Sequence, residues 1–172
     1  VGLGKILNAL KKELKIPLTI KIRTGWDADQ INADEIMHVA KNEGVSFVAI
    51  HGRTRAQQYT GLANWDYIET IAKNSPLPII GNGDLHSAQL VKRRMRETNC
   101  QALMLARGAL RNPFIFLESY MQDEDTLKFV GADYFEMIER LREYTTEYFP
   151  DDRGSLVQIR KLIVWFAAGF PN

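Results

Sequence analysis

The sequence has a single cysteine and no long apolar run, and each shortage excludes a class of protein. One cysteine, Cys100, excludes an internal disulfide framework and any zinc cluster built on cysteine, and we predict no metal site. No apolar run approaches the roughly 20 residues that a membrane span requires. The opening residues, VGLGK, lack the apolar segment of a signal peptide, so a cytoplasmic protein is expected. The missing initial methionine suggests a trimmed or excised chain.

An excess of charge of one sign is also lacking. The net charge is +1 over 172 residues, which gives no general case for nucleic-acid binding, so any basic site must be local. The chain has room for one ordinary domain, and its 45% hydrophobic content can fill a core.

Four short apolar runs indicate strands. They hold few polar residues, which is typical of strands that are covered on both faces in a parallel sheet. The runs occupy residues 18–22, 46–50, 77–81 and 102–106. Helical patterns precede and separate them, over residues 3–14, 33–43, 65–73 and 87–97. Strand and helix alternating at this interval predict a parallel sheet built of βαβ units.

The limits of the second helical pattern have local signals. Asn32 with Glu35 predicts a capping box at its start, although asparagine replaces the usual serine or threonine. Gly44 predicts its end, since glycine is the commonest residue just after a helix.

The character of the chain changes after Pro113. Residues 114–121 indicate a short helix, and residues 132–148 and 155–168 indicate two amphipathic ones. Residues 123–125, Asp-Glu-Asp, are expected to form a linker. We therefore predict a barrel-like part over residues 1–122 and the start of an all-helical domain over residues 123–172.

Polar residues interrupt or follow each predicted strand, at the sheet edge where parallel folds carry their sites. Lys21 lies within an otherwise apolar strand, and a charge buried in this way is costly unless it meets an anion. The alternative is an edge strand with Lys21 in solvent. His51 ends the second strand and is followed by Arg53, Arg55 and Tyr59, residue types that suit phosphate and base contacts. A structural histidine in a solvated basic loop is the alternative there.

The third and fourth strands end in Gly-Asn-Gly-Asp and Ala-Arg-Gly, each just before a helix. Glycine lets the backbone approach a ligand closely, and a helix start offers free N–H groups to an anion. We therefore expect Gly83 and Arg107 to reach one phosphate. Cys100 precedes the fourth strand, on the opposite edge of the sheet, and is expected to be an ordinary buried or half-buried thiol.

Four separated segments, KIRTGWD, HGRTRAQQYTGLANWDYI, PIIGNGD and ARGALRNPFIF, resemble the dihydrouridine synthases in order and spacing. These are flavoenzymes that reduce uridine in tRNA, and the resemblance covers nearly the whole chain. It implies an α/β fold, half of a (βα)8 TIM barrel (strands five to eight), followed by the first helices of an all-α domain that contacts tRNA.

The resemblance also implies roles for individual residues. Those matching the family's FMN-binding positions are Lys21, His51, Asn82, Gly83, Asp84, Ala106 and Arg107. Those expected to face RNA are Arg53, Arg55 and Tyr59. In the family NADPH reduces FMN, the flavin passes a hydride to C6 of uracil, and a cysteine protonates C5.

One part of the family's machinery has no match in this chain. The cysteine acid of the family belongs to an earlier strand, so we expect it upstream of residue 1 and assign no catalytic residue here. Cys100 differs from it in motif and in position. The isolated chain is therefore predicted to be inactive, and its half-barrel is expected to self-associate.

Two other functions remain open at this point. The GNGD and ARG segments alone would permit another phosphate-binding TIM-barrel enzyme. A remnant that binds RNA or a protein partner without catalysis is the second alternative.

Overall fold

The structure, a computed structural model, describes residues 2–121, 129–149 and 152–168. Four strands and eight helices occur in these ranges. The strands are β1 (Thr19–Arg23), β2 (Phe47–His51), β3 (Ile79–Asn82) and β4 (Ala102–Met104). The helices are α1 (Gly2–Glu13), α2 (Ala33–Asn42), α3 (Trp65–Asn74), α4 (Ala88–Glu97), α5 (Arg107–Arg111), α6 (Ile115–Tyr120), α7 (Gly131–Tyr148) and α8 (Asp152–Ala167).

The four strands form one parallel sheet in the order β1-β2-β3-β4. Each strand pairs with the next in the chain, and a helix connects each pair. The predicted α/β class is thereby confirmed, and the sheet is consistent with part of a TIM barrel. The numbering of its strands as five to eight stays a prediction.

One face of the sheet carries the core. Val48, Ile50 and Ile79 are fully buried on that face, together with Ile68 from α3 and Met37 from α2. Aliphatic side chains of this size each contribute about 1.5–3 kcal/mol of transfer free energy when they are buried.

The expectation that the strands are covered on both faces is confirmed for β2 and β3 but is wrong for β1 and β4. All five residues of β1 are exposed or half-buried, and all three residues of β4 are half-buried. The physical reason is position, because β1 and β4 are the two edges of an open sheet.

The expected limits of α2 are half right. Gly44 follows the helix with φ +75°, which confirms the predicted stop. The capping box is not formed, because the Asn32 side chain caps nothing. The carbonyl of Thr24 instead accepts hydrogen bonds from the backbone N–H groups of Asn32 and Ala33. The side-chain cap occurs at α3, where Asn64 Oδ1 accepts the N–H of Tyr67 at 2.9 Å.

The chain divides into two compact units. The first holds residues 1–85 and 90–105, and the second holds residues 86–89 and 106–172. In the second, α7 packs against α8, and the buried hydroxyl oxygens of Thr145 and Ser155 lie 3.1 Å apart. The predicted linker at residues 123–125 falls outside the described residues, and the proposed domain boundary stays a prediction. None of the described helices combines the length and apolarity that a membrane crossing requires.

Candidate functional site

Two predicted site residues, His51 and Asn82, lie beside Arg23 at the carboxyl ends of β1, β2 and β3. Arg23, His51 and Asn82 are neighbours in register across these strands. Because side chains alternate along a strand, these three point to one face, and Lys21 points to that face two residues before Arg23. The face is the one opposite the buried core of the sheet.

Lys21 is exposed, because β1 is an edge strand. Partial burial, and then the nearby Arg23 cation, lower the pKa of Lys21 from its ordinary value. The expectation of a buried charge within β1 is therefore wrong, and the alternative of an edge lysine in solvent is what the chain has.

Arg53 is the most deeply buried charge among the described residues, with 2% of its surface exposed. Its guanidinium forms a two-pronged ion pair with Asp84, with both nitrogen–oxygen distances at 2.8 Å. Its remaining N–H groups donate to the carbonyl oxygens of Thr60 (3.1 Å) and Gly61 (2.5 Å) and to Nε2 of His51 (3.4 Å).

All five N–H donors of Arg53 are thus used within the chain. The prediction that this side chain faces RNA does not fit the structure, because its donors are satisfied internally and its guanidinium is shielded from solvent. Arg53 is therefore a structural residue that ties the loop after β2 to the end of β3.

The turn after β3 is shaped to meet Arg53. Asp84 has φ +51°, in the left-handed region, and its carboxylate also accepts the backbone N–H of Ala63 at 2.8 Å. Gly83 has φ +136°, and a Cβ there would lie 2.5 Å from the Cβ of Ala63, so no other residue fits. The Gly83 carbonyl accepts the indole N–H of Trp65 at 3.0 Å. The expected ligand-binding turn is thus held by contacts inside the chain.

His51 is buried and neutral at physiological pH. Burial, followed by the cations of Arg23, Lys21 and Arg53, lowers its pKa to about 4, although Asp84 acts in the opposite direction. Among the described residues no buried side-chain nitrogen or oxygen lacks a hydrogen-bond partner. No described residue hydrogen-bonds to Nδ1 of His51, so this atom reaches the surface.

The loop after β2 is pinned to the loop after β1. The N–H of Arg55 donates to the Gly25 carbonyl at 2.9 Å, and that of Ala56 donates to the Trp26 carbonyl at 2.7 Å. Arg23 Nη1 donates to the carbonyls of Thr54 (2.6 Å) and Gln58 (2.9 Å). Both loops therefore form one ordered surface.

Two aromatic rings on that surface are open to solvent and paired with cations. Trp26 is 61% exposed, and the Arg55 guanidinium lies 5.9 Å from its ring centroid. Tyr59 is 64% exposed, with Arg23 6.0 Å from its ring. Sequence reasoning predicted Arg55 and Tyr59 but missed Trp26 and Arg23. The signal was the KIRTGWD segment itself, which places an arginine and a tryptophan just after a strand.

An apolar groove opens beside these loops. Its volume is about 540 Å³, and Thr24, Ala28, Ile31, Gly52, Thr54, Ala56, Gln57, Asn64 and Tyr67 line it. This volume falls in the range of small-molecule sites.

Ala106 and Arg107 stand at the start of α5, in the second unit, and the joint phosphate site with Gly83 stays a prediction. A helix of five residues has a small dipole, so the Arg107 side chain rather than the helix would provide most of the attraction. Cys100 is buried, and burial raises the pKa of its thiol. It lies just before β4, at the amino ends of the strands, whereas His51 lies at their carboxyl ends.

No group of three or more histidine, cysteine or acidic side chains suited to a metal ion occurs in the part of the chain that the structure describes.

Comparison with known proteins gives one consistent family. The family model described as dihydrouridine synthase matches residues 2–172. The chain is 30% identical over 173 residues to a probable tRNA-dihydrouridine synthase of Rickettsia conorii, and 35% identical over 172 residues to tRNA-dihydrouridine synthase B of Pasteurella multocida. It is 40% identical over 176 residues to synthase B of Xanthomonas campestris. Each match covers 98% of this chain and 52% of the relative, so the chain spans about half the length of these relatives.

Proposed function

Because the chain belongs to the dihydrouridine synthase family, we propose that it forms part of an enzyme that reduces uridine to 5,6-dihydrouridine in tRNA, with FMN as cofactor and NADPH as reductant. The observation that carries this proposal is the row of His51 and Asn82 beside Lys21 at one sheet edge. The relatives' printed names supply the substrate class.

The side chains of this row suit a flavin. Lys21 offers an exposed ammonium group, and His51 offers a ring nitrogen that reaches the surface. Asn82 donates its side-chain amide N–H to the Met104 carbonyl at 2.6 Å, and no described residue donates to its side-chain oxygen. Flavin and ribityl groups carry both donors and acceptors, so this mixed set fits them.

Bound FMN would supply the hydride that reaches C6 of uracil. The residues of this chain would bind and orient: Lys21 and His51 beside the ring and ribityl chain, and Asn82 beside the ribityl-phosphate. Arg53 and Asp84 would hold the surrounding turns in place instead of touching a ligand, which changes the role expected of both. Gly83 lets the turn pass close to His51.

The proton at C5 needs another source. Proton donation by a positioned acid typically contributes 10²–10⁴-fold to a rate. Cys100 is buried at the amino ends of the strands, whereas His51 lies at their carboxyl ends, so Cys100 cannot supply this proton. We therefore propose that the acid lies upstream of residue 1 and that the isolated chain is inactive.

The RNA-facing surface is proposed to consist of Arg55 and Tyr59, with Trp26 taking the place of Arg53. Exposed aromatic rings beside arginines stack unpaired bases, typically with about 1–3 kcal/mol per base. The adjacent groove could receive an extruded base, since the target must leave its stack to be reduced.

Arg107 is proposed to bind the FMN phosphate together with Ala106. Removing a hydrogen bond to a charged group costs about 1.5–3 kcal/mol, so Arg107→Ala should weaken FMN binding roughly 10- to 100-fold in a flavin-fluorescence titration. Arg93→Ala is the control, because Arg93 is exposed and pairs with Glu97. Equal FMN affinity in the two variants would exclude Arg107 from the site.

Self-association is also proposed. β1 and β4 each pair on one side only in the described sheet, and open parallel edges invite pairing with another copy. Light scattering should show dimers or larger species at micromolar concentrations, and a compact monomer throughout would contradict this.

A further inference from the structure

The contact between Arg53 and His51 constrains the histidine ring. An arginine side chain can only donate, so its Nη1, at 3.4 Å from His51 Nε2, requires Nε2 to accept. A neutral imidazole carries one proton, and when Nε2 accepts, that proton must be on Nδ1. The ring edge that carries Nε2 and Cδ2 lies against Gly83, where an added Cβ would be 3.2 Å from Cδ2.

The cations around His51 keep its ring neutral, which adds to the effect of the contact between Arg53 and Nε2. Lys21 and Arg23 from β1, together with Arg53, oppose a second proton on the ring, and Asp84 is the acidic group near it. The Asp84 carboxylate is held by both prongs of the Arg53 fork. His51 therefore stays neutral, with a single N–H.

We propose that Arg53 is a positioning residue, which fixes His51 as the Nδ1–H tautomer and turns that N–H outward as a hydrogen-bond donor to the ligand. The consequence is a preference for ligands that place an acceptor, a carbonyl oxygen or an unprotonated ring nitrogen, against His51. That this ligand is a flavin rests on the proposed function, but the tautomer does not.

Lysine cannot replace arginine in this arrangement. The guanidinium reaches Asp84, two carbonyls and Nε2 at fixed angles at the same time, whereas an ammonium group has three donors on one atom. The charge alone would survive in Arg53→Lys, but the directed contact with Nε2 would be lost.

The test is nitrogen NMR of the purified protein labelled with ¹⁵N-histidine, at pH 7 and without ligand. The sequence has three histidines, so the His51→Gln variant assigns the His51 signals by their disappearance. We expect a protonated Nδ1 and an unprotonated Nε2, in at least about tenfold excess over the other tautomer, the ratio that one hydrogen bond to a charged group supports. A proton on Nε2 in the wild-type protein would overturn the proposal without any variant.

Two variants test the role of Arg53 itself. Arg53→Lys and Arg53→Met should each lower the tautomer excess by about tenfold, and Arg55→Lys, in the same loop but paired with Trp26, should leave the His51 signals unchanged. If Arg53→Met does not fold, Arg53→Lys decides the matter. An unchanged tautomer ratio in a folded Arg53 variant would show that something else holds the ring.

A parallel FMN titration separates this proposal from the proposed function. FMN binding with the proton on Nε2 would refute the positioning role and leave the flavin site intact. The Nδ1–H tautomer without FMN binding would support the positioning role and remove the flavin as the ligand.

Discussion

Replacing Asp84 by asparagine should destabilise the protein severely, although the change removes only a charge. Asparagine tolerates the left-handed backbone that residue 84 adopts at φ +51°, so backbone strain is not added. It leaves the Arg53 guanidinium buried without its anion. The two side chains are 3% and 19% exposed, which makes this a buried ion pair and not a surface one.

The expected cost follows from that burial. Removing one partner of a buried ion pair typically costs about 3–5 kcal/mol, because the remaining charge stays desolvated. This cost includes a weaker hydrogen bond from the Ala63 N–H, which would donate to a neutral asparagine oxygen instead of the Asp84 carboxylate. For a chain of this size, each kcal/mol lowers the melting temperature by roughly 2–4 °C, so Asp84→Asn should melt at least about 6 °C lower.

Urea unfolding of wild-type protein, Asp84→Asn, Arg53→Met and the double variant measures this directly. The double variant should be less destabilised than the sum of the single variants, since neither charge is then left alone. Asp27→Asn is the matched control, because the Asp27 carboxylate hydrogen-bonds, among the described residues, only to Asp29 and Gln30 of its own turn. A loss below about 1 kcal/mol in Asp84→Asn would show that Arg53 is solvated, and its assignment as a structural residue would be refuted.

Three further predictions follow from single contacts. Because the pKa of His51 falls from 6.5 to about 4 on folding, stability should be greatest above pH 6.5 and decrease as the pH falls towards 4, with a loss of about 2 kcal/mol by pH 5. His51→Gln should lack this loss, so the loss should appear in full in the difference between wild-type protein and the variant. Gly81→Ala places a Cβ 2.8 Å from the Trp65 ring and should cost about 1–3 kcal/mol in urea unfolding, whereas Gly2→Ala meets nothing and should cost none. Trp26→Ala should weaken tRNA binding by about 1–3 kcal/mol in a filter-binding assay but leave FMN affinity unchanged; equal loss of both would place Trp26 at the flavin.

The fold was readable from the sequence because its signals are local. Strand runs with few polar residues and helices with regular apolar spacing gave the limits of every described strand, and of every described helix except α5, to within about three residues at each end. The end of α2 at Gly44 was predicted correctly for the same reason, since a helix stop depends on the backbone of one residue. The predicted capping box at Asn32 was wrong because the Thr24 carbonyl, from the preceding loop, accepts the N–H groups at the start of the helix.

The site was only partly readable, because charge alone does not show where a side chain points. Lys21 was expected to be buried, but edge or centre is a property of the whole sheet, which no run of five residues reveals. Arg53 and Arg55 look equivalent in the loop HGRTR, yet Arg53 is buried and paired with Asp84, whereas the Arg55 guanidinium lies 5.9 Å from the Trp26 ring centroid. Their separation depends on an aspartate 31 residues away in sequence, beyond the reach of a spacing argument.

Dihydrouridine formation is the most direct test of the whole account. The 172-residue chain should be incubated with FMN, NADPH and unmodified tRNA, alone and fused behind the preceding half of the Pasteurella multocida synthase B, and the product quantified by mass spectrometry. We predict product from the fusion and none above background from the chain alone. Product from the isolated chain, or a fusion that binds FMN and tRNA but forms no dihydrouridine, would contradict the account.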